Sequence, residues 1–272
     1  MSRLTFLGTG TSNGIPVIGC TCAVCQSSDP RDNRGRTSAV IQIDGKTILI
    51  DTATELRSQA LREGLDHVDA VLFTHAHADH TGGFDDLRRF NELQQAKLPI
   101  FTGPETATML NDRFAYAFVD AFSFFGGKPD LILHVVHEQF EAVGVPITPI
   151  PVWHGALRVF GYRFGSFAYV TDAGSVPDES IELLRGVDVL VLNALREREH
   201  PTHLNVQQAI DVITRVGARE AYLVHLSHEL SHAAAEALLP EGIHVAYDGL
   251  TIDIADSAGD SQATIGQEQA TR

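Results

Sequence analysis

The chain has 272 residues, 44% hydrophobic and 20% charged, a balance that excludes wholesale disorder and allows a large core without disulfide staples. Twenty Lys and Arg against 35 Asp and Glu give a formal charge of −15. That counts against nucleic acid as the main partner, because its binding relies on basic side chains that neutralise phosphates. No run approaches the ~18 apolar residues of a membrane span. MSRLTFLGTG reaches glycine and threonine too early for the apolar stretch of a signal peptide, so the expectation is a cytoplasmic protein with no membrane association.

Short β-like runs alternate with helical stretches along the chain. The Val/Ile/Leu/Phe content and the Gly/Asp/Pro punctuation predict strands at 4–7, 39–43, 47–51, 70–74, 99–101, 147–152, 158–163, 167–171, 187–192 and 221–225. Runs at 245–247 and 250–254 read as a closing hairpin. Helices are predicted at 54–63, 84–95, 105–112, 178–185, 204–216 and 230–239. In the fifth of these, VQQAIDVITRVG places Val206, Ile210, Val212 and Ile213 on one face and stops at a glycine. Early strand pairs, interspersed helices and a second strand-rich half predict an α/β protein layered as an αββα sandwich rather than a doubly wound sheet. The segment FAYAFVDAFSFFGG, 114–127, carries six Phe and Tyr residues and reads as a core-packing helix. A lid over the active site or a homodimer contact are the alternatives. After Ile254 the chain turns polar and loses periodicity, which predicts a disordered tail over 255–272.

Thirteen histidines are present, and the densest group is HAHADH at 75–80, after the apolar run AVLFT and before a predicted helix. Side chains at i and i+2 of an extended segment point the same way, so His75 and His77 can converge on one metal ion. Asp79 and His80 then stand where the chain turns into the helix, and can face a second ion. Imidazole with carboxylate suits zinc, manganese or iron. Two ions need further ligands, and three strand ends supply them. His154 follows ITPIPVW, Asp172 ends FAYVTDAG with two oxygens able to bridge two cations, and His225 ends EAYLVH.

This constellation resembles the metallo-β-lactamase fold superfamily of binuclear hydrolases, from FLGTGTSNG to YDGL. The resemblance implies an αββα hydrolase domain over 1–254 with its metals at one edge of the sheets. It assigns His75, His77, His154 and Asp172 to one ion, and Asp79, His80, Asp172 and His225 to the other. It also places Asp51, in ILIDT, behind the ligands, where a carboxylate can orient an imidazole.

Three cysteines, Cys20, Cys22 and Cys25, form a C-x-C-x2-C group with no fourth cysteine in the chain. An odd, tight set in a chain without a signal peptide reads as metal binding before disulfide. A closed structural zinc needs four ligands, and His228 in HLSHE is the candidate for the fourth. GTGTSNGIPVIGCTCAVC with HLSHE is similar to the PhnP-type phosphodiesterases, which cleave phosphoribosyl 1,2-cyclic phosphate and carry a structural zinc besides a binuclear site. Related tRNA 3′-processing endonucleases share the catalytic set without this cysteine group. Ala53 stands where relatives often have glycine. The chain also lacks the long basic or glycine-rich arm of the tRNA-processing branch.

The phosphodiesterase branch further implies a histidine about 22 residues before His225, acting on the phosphate or the leaving group; His203 fits, with His200 as the alternative. The expected chemistry is hydrolysis of a phosphodiester, foremost a small cyclic ribose phosphate, by a hydroxide bridging two Zn2+ or Mn2+ ions. Asp79 is a ligand that can also hold the hydroxide's proton, and His203 protonates the departing alkoxide. Three other readings stay open: a thioester or lactone hydrolase on the same site, a tRNA 3′-processing-like endonuclease, and a non-catalytic metal-loaded carrier.

Overall fold

The computed structural model describes residues 2–119 and 127–255. The first half builds β1 (Ser2–Gly8), β2 (Ser38–Ile43), β3 (Lys46–Ile50), β4 (Ala70–Leu72), β5 (Leu98–Thr102) and β6 (Leu131–Val135). The second half builds β7 (Phe140–Ala142), β8 (Val145–His154), β9 (Leu157–Phe164), β10 (Phe167–Val170), β11 (Val189–Asn193), β12 (Glu220–Val224) and β13 (Ile243–Val245). The last strand, β14 (Thr251–Ile254), returns to the first sheet. The two sheets run β14-β1-β2-β3-β4-β5-β6 and β13-β12-β11-β10-β9-β8-β7. Both are mixed, antiparallel where hairpins join neighbours and parallel from β3 to β6 and from β10 to β13.

Helices α1 (Leu56–Glu63), α2 (Ala78–Thr81), α3 (Leu87–Gln94), α4 (Pro104–Arg113) and α5 (Ala115–Phe118) belong to the first half, and α6 (Asp178–Leu184), α7 (Val206–Val216) and α8 (His232–Glu236) to the second. Strand alternation divides the apolar residues between layers. Val189 and Val191 enter the core between the sheets, while Leu190 and Leu192 face the core shared with α6, α7 and α8. In the first half Ile48 and Ile50 point to the central core, and Leu49 points to the core under α1 and α3. Strands buried on both faces read as continuous apolar runs such as VLVLN. The result is an αββα sandwich. Helix α7 opens with a capping box at Asn205 and Gln208 and ends at left-handed Gly217. Its buried face is Val206, Ala209, Val212, Ile213 and Val216, with Ile210 only partly covered.

The closing hairpin does not form. Strand β13 lies parallel to β12 in the second sheet, and β14 lies antiparallel to β1 in the first. The turn between them is held by the first sheet instead of closing on itself. Phe6 N donates to Leu250 O, Gly249 N donates to Phe6 O, and Asp248 accepts from Thr9 Oγ1 and Gly35 N. Strands β6 and β7 were not among the predicted runs. Strand β6 is an edge strand whose Ile132 and Val135 are half exposed, so its pattern lacks a clean apolar face. Of the aromatic segment, Phe114, Tyr116 and Phe118 pack on the core under α3, with the Phe114 ring stacked 4.1 Å from Phe84. Residues 120–126, and residues 256–272 of the tail expected over 255–272, lie outside the described residues. Among the described residues, no helix is long and apolar enough to cross a membrane.

Candidate metal centre

Ligands of open α/β sheets gather beyond the carboxyl ends of parallel strands. Here Asp51 follows β3, the run Phe73–Thr74–His75 follows β4, Asp172 follows β10 and His225 follows β12. His154 is the last residue of β8. Asp51, Asp172 and His225 all adopt left-handed backbone, with φ of 59°, 60° and 63°. Such conformations cost non-glycine residues about 1–3 kcal/mol each and persist only where the surroundings hold them. Each turns its side chain off the end of an apolar strand toward one point.

The side chains meet there. Ligand atoms of His75, His77 and His154 lie within 4.8 Å of one another, as do those of Asp79, His80, Asp172 and His225. Asp172 stands between the groups: Oδ1 is 3.2 Å from His225 Nε2 and 4.0 Å from His75 Nε2, and Oδ2 is 3.1 Å from His80 Nε2. Asp79 Oδ2 is 3.3 Å from His80 Nε2 and 3.7 Å from His225 Nε2.

The far nitrogens of several rings are anchored. Asp51 Oδ2 is 2.7 Å from His80 Nδ1, and the same carboxylate accepts from Thr74 N and Thr74 Oγ1. Thr74 Oγ1 is 3.0 Å from His75 Nδ1, and His154 Nδ1 donates to Thr202 O at 2.9 Å. The near nitrogens have no such partner: the buried Nε2 atoms of His75, His80 and His225 make no hydrogen bond. Buried polar atoms rarely go unpaired, so an arrangement that fixes one nitrogen and strands the other fits a cation.

Electrostatics point the same way. Burial opposes charge on His80, but the carboxylates of Asp172, Asp51 and Asp79 outweigh it and hold its imidazole well above the ordinary histidine range. Burial likewise opposes charge on Asp172, and the positive fields of His225, His80 and His75 overcome it and hold the carboxyl well below the ordinary aspartate range. Burial lowers His75. The cluster therefore holds two carboxylates, Asp172 and Asp79, in the ionised form through the positive charge of its histidines, a role divalent ions would also fill.

His203 closes the second-sheet side. Its ring centroid is 4.6 Å from that of His154 and 4.8 Å from that of His225, and Nδ1 is 3.8 Å from Asp172 Oδ1. Burial first, then the neighbouring His225, pushes its pKa down to about 3. His200 lies farther out, 5.1 Å from His203, with Nδ1 accepting from Thr202 N.

The cysteines form a separate cluster. His228 Nδ1 is 3.3, 3.4 and 3.6 Å from the sulfurs of Cys20, Cys22 and Cys25. None of the three cysteines is in a disulfide, so four donors converge on one point, a set that could hold a metal ion. Hydrogen bonds from Cys25 N, with support from His228, pull the Cys22 thiol down to about 6, toward the thiolate a metal takes.

Three positioning residues escaped the sequence reading. Asn193, fully buried at the end of β11, accepts from Ala173 N at 2.7 Å and donates to Ala173 O at 3.0 Å, pinning the residue after Asp172. Arg113 NH1 donates to Ala76 O and Thr81 Oγ1 and so braces the HAHADH loop from α4. Thr202 O fixes the His154 tautomer, and its loop packs so closely on the Asp172 turn that a Cβ at Gly174 would lie 2.6 Å from Thr202 O. The polar end of VLVLN is the one signal available from sequence; Arg113 reaches a carbonyl 37 residues away and Thr202 acts through its own carbonyl.

Residues 46–226 match the family model described as the Beta-lactamase superfamily domain. The chain belongs to that superfamily. It is also similar to a crystal structure of a diphosphatase from the PhnP family, 43% identical with a TM-score of 0.87, covering 94% of this chain and 98% of that one. Among curated proteins it is 41% identical over 253 residues to an octanoyltransferase of Porphyromonas gingivalis, covering 91% of this chain and 51% of that protein. It is 33% identical over 175 residues to ribonuclease Z of Bradyrhizobium diazoefficiens, covering 61% of this chain and 50% of that protein. The chain thus spans about half the length of these curated relatives. The zinc-bound PqqB structure from Methylobacterium extorquens, 20% identical with a TM-score of 0.73 and covering 93% of this chain and 100% of that one, shares the fold.

Proposed function

We propose that this superfamily hydrolase is a metal-dependent phosphodiesterase acting on a small substrate, foremost a cyclic ribose phosphate. In this reading His75, His77, His154 and Asp172 would hold one divalent ion, and Asp79, His80, Asp172 and His225 would hold a second. Cys20, Cys22, Cys25 and His228 hold a structural zinc. Zinc or manganese at the paired site would lower the pKa of water and offset charge on phosphoryl oxygens.

The observation that carries the reading is His203, beside the Asp172 carboxylate and open to a cleft on its other side. Attack by a water oxygen forms one P–O bond while the P–O bond to the departing alcohol breaks. Asp79, kept ionised by the charge of His80 and its contact with His225 despite burial, accepts a hydrogen bond from the attacking water. His203 is neutral in the free site, and a bound phosphodiester anion favours its protonation. It then gives that proton to the departing oxygen. A thioester, whose thiolate leaves readily, has less need of a group in this place.

The 43% identity to a PhnP-family diphosphatase along nearly the whole chain supports phosphoryl rather than acyl chemistry. The octanoyltransferase is about twice as long as its matched part, so its name gives acyl transfer no claim on this half. The charge of −15 supports a small substrate over tRNA, and a cytoplasmic location belongs to the same proposal.

The test is leaving-group dependence. His203→Ala should keep its metal content and slow hydrolysis of a cyclic ribose phosphate ~10²–10⁴-fold. Bis(p-nitrophenyl) phosphate, whose leaving group is a stable anion, should lose much less. Equal losses on both substrates would assign His203 to phosphate positioning, and full activity on both would remove it from the mechanism.

A further inference from the structure

The connection from β11 to α7, residues 194–205, carries both His200 and His203. Backbone bonds close its base: Leu195 N donates to Leu204 O, Leu204 N to Ala173 O, and Val206 N to Arg196 O. The outer limb, Arg196 to His200, is mostly exposed, and its tie comes from another loop. Glu229 accepts from Arg196 Nη1 at 2.7 Å and from Arg198 Nε and Nη2 at 2.7 and 2.9 Å. Arg196 passes that tie along the limb, with Nε donating to Arg198 O at 3.4 Å and Nη2 to Glu199 O at 3.1 Å. The next residue is His200, whose ring stands 5.1 Å from that of His203. We infer that Glu229 is a positioning residue for His203, acting through Arg196, Arg198 and the His200 ring. The inference rests on the phosphodiesterase reading and deepens it.

Three observations support the assignment. The buried Nδ1 of His203 makes no hydrogen bond, so the ring is oriented by what packs around it. His154 and His225 lie on the metal side, at 4.6 and 4.8 Å, and His200 touches it from the limb that Glu229 holds. Placement matters for a proton donor, since a shift of ~1 Å can cost ~10²-fold in rate.

The clamp also has the geometry of a fixed tie. Arg198 meets the carboxylate as a two-pronged fork, and charge-assisted forks of this kind hold direction better than a single bond. The Arg196 side chain is only 15% exposed, which shields its arm from solvent.

Glu229 is itself anchored. Ser227 N donates to Leu195 O, Glu229 N donates to Ser227 Oγ, and the adjacent His228 reaches the three cysteine sulfurs. Two guanidiniums on one carboxylate leave a surplus positive charge. Freeing them would therefore change KM for any anionic ester, whereas misplacing His203 lowers kcat only where the leaving oxygen needs a proton.

The experiment is a double-mutant cycle on ribose 1,2-cyclic phosphate, with bis(p-nitrophenyl) phosphate as the ester whose leaving group needs no proton. Glu229→Ala should lower kcat for the cyclic ester ~3–30-fold and leave kcat for the nitrophenyl ester within ~2-fold, with metal content unaltered. Glu229→Gln keeps an acceptor oxygen without the charge, so its kcat should fall between those of Glu229→Ala and wild type. Added to His203→Ala, Glu229→Ala should cost nothing further, because residues that act through one group are not additive. The same loss in both backgrounds, equal losses in kcat on both esters, or wild-type kcat in Glu229→Ala overturns the positioning role and leaves the phosphodiesterase reading in place. Full activity of His203→Ala on the cyclic ester overturns the inference together with the role of His203. Turnover of neither ester by wild type overturns the phosphodiesterase reading itself.

Discussion

The His/Asp cluster and the Cys/His228 cluster hang from different kinds of backbone. The first stands on strand ends, with Asp172 and His225 almost wholly buried and the far nitrogens of His75, His80 and His154 held by Thr74, Asp51 and Thr202. The second lies on a loop whose cysteines are only half buried and whose bonds are those of local turns, Cys20 N to Val17 O, Gln26 N to Cys22 O and Ser27 N to Val24 O, with Val17 N on Cys25 Sγ and Cys25 N on Cys22 Sγ. A scaffold that fixes donors before any ion arrives serves catalysis, because the geometry does not relax around the substrate. A surface loop held mainly by local turns would gain order from an ion bound by its cysteines, so metal binding there would become folding energy.

Removing Asp172 should have the largest effect. Asp172→Ala is expected to lower occupancy at both catalytic positions and to cost more than the ~10²–10³-fold of a single lost stabilising donor. Metal analysis beside turnover checks this. Loss of one ion with substantial activity remaining would make Asp172 a terminal ligand and blur the contrast between the sites.

Cys22→Ser should sharpen the contrast. It should release about one zinc per chain, and a cost of ~3 kcal/mol would lower the melting temperature by ~6–12 °C for a chain of this size. The catalytic ions should stay. Full zinc content and an unchanged melting curve would remove the structural role from the cysteines.

Asp51→Asn tests whether the strand-end scaffold is what fixes the donors. Without the carboxylate against His80 Nδ1, affinity for the catalytic ions should fall ~10–100-fold in a chelator competition. An unchanged affinity would show that the ring needs no such anchor.

The smallest effect concerns Glu229 at the edge of the cleft. Its bond to Arg198 first, then that to Arg196, holds its carboxyl at about 2 against an ordinary 4.5. A depressed carboxyl stabilises the fold above its unfolded value, and that stabilisation fades as pH falls from 4.5 toward 2. The melting temperature of Glu229→Gln should therefore lie below wild type near pH 6, by no more than ~3 °C for so exposed a pair. The gap should close with acid; a gap constant down to pH 2 would mean the carboxylate charge is not its source.

Much of the site was legible because its ligands are grouped or punctuated. HAHADH puts four polar side chains in six residues after an apolar strand, and Asp172 and His225 each follow a largely apolar strand, FAYV and AYLV. Asn193, Arg113 and Thr202 were not legible for a physical reason. They act on the backbone of Ala173, Ala76 and on the ring of His154, partners that sequence distance hides. The strand order carried a similar trap. YDGL has the composition of a hairpin turn, yet Asp248 and Gly249 bond to the first sheet, so the two flanking strands part. Turn chemistry reports a reversal of the chain and not which sheet receives it.

The central proposal is that the strand-end cluster works as a two-ion phosphodiesterase. The most direct measurement is turnover of ribose 1,2-cyclic phosphate by chelator-stripped protein, titrated with zinc or manganese after the cysteine site has been refilled with zinc. The account predicts no turnover in the stripped protein, and activity that returns only as two further equivalents bind. Full turnover with one equivalent, or a thioester hydrolysed faster than the cyclic phosphate, would contradict it.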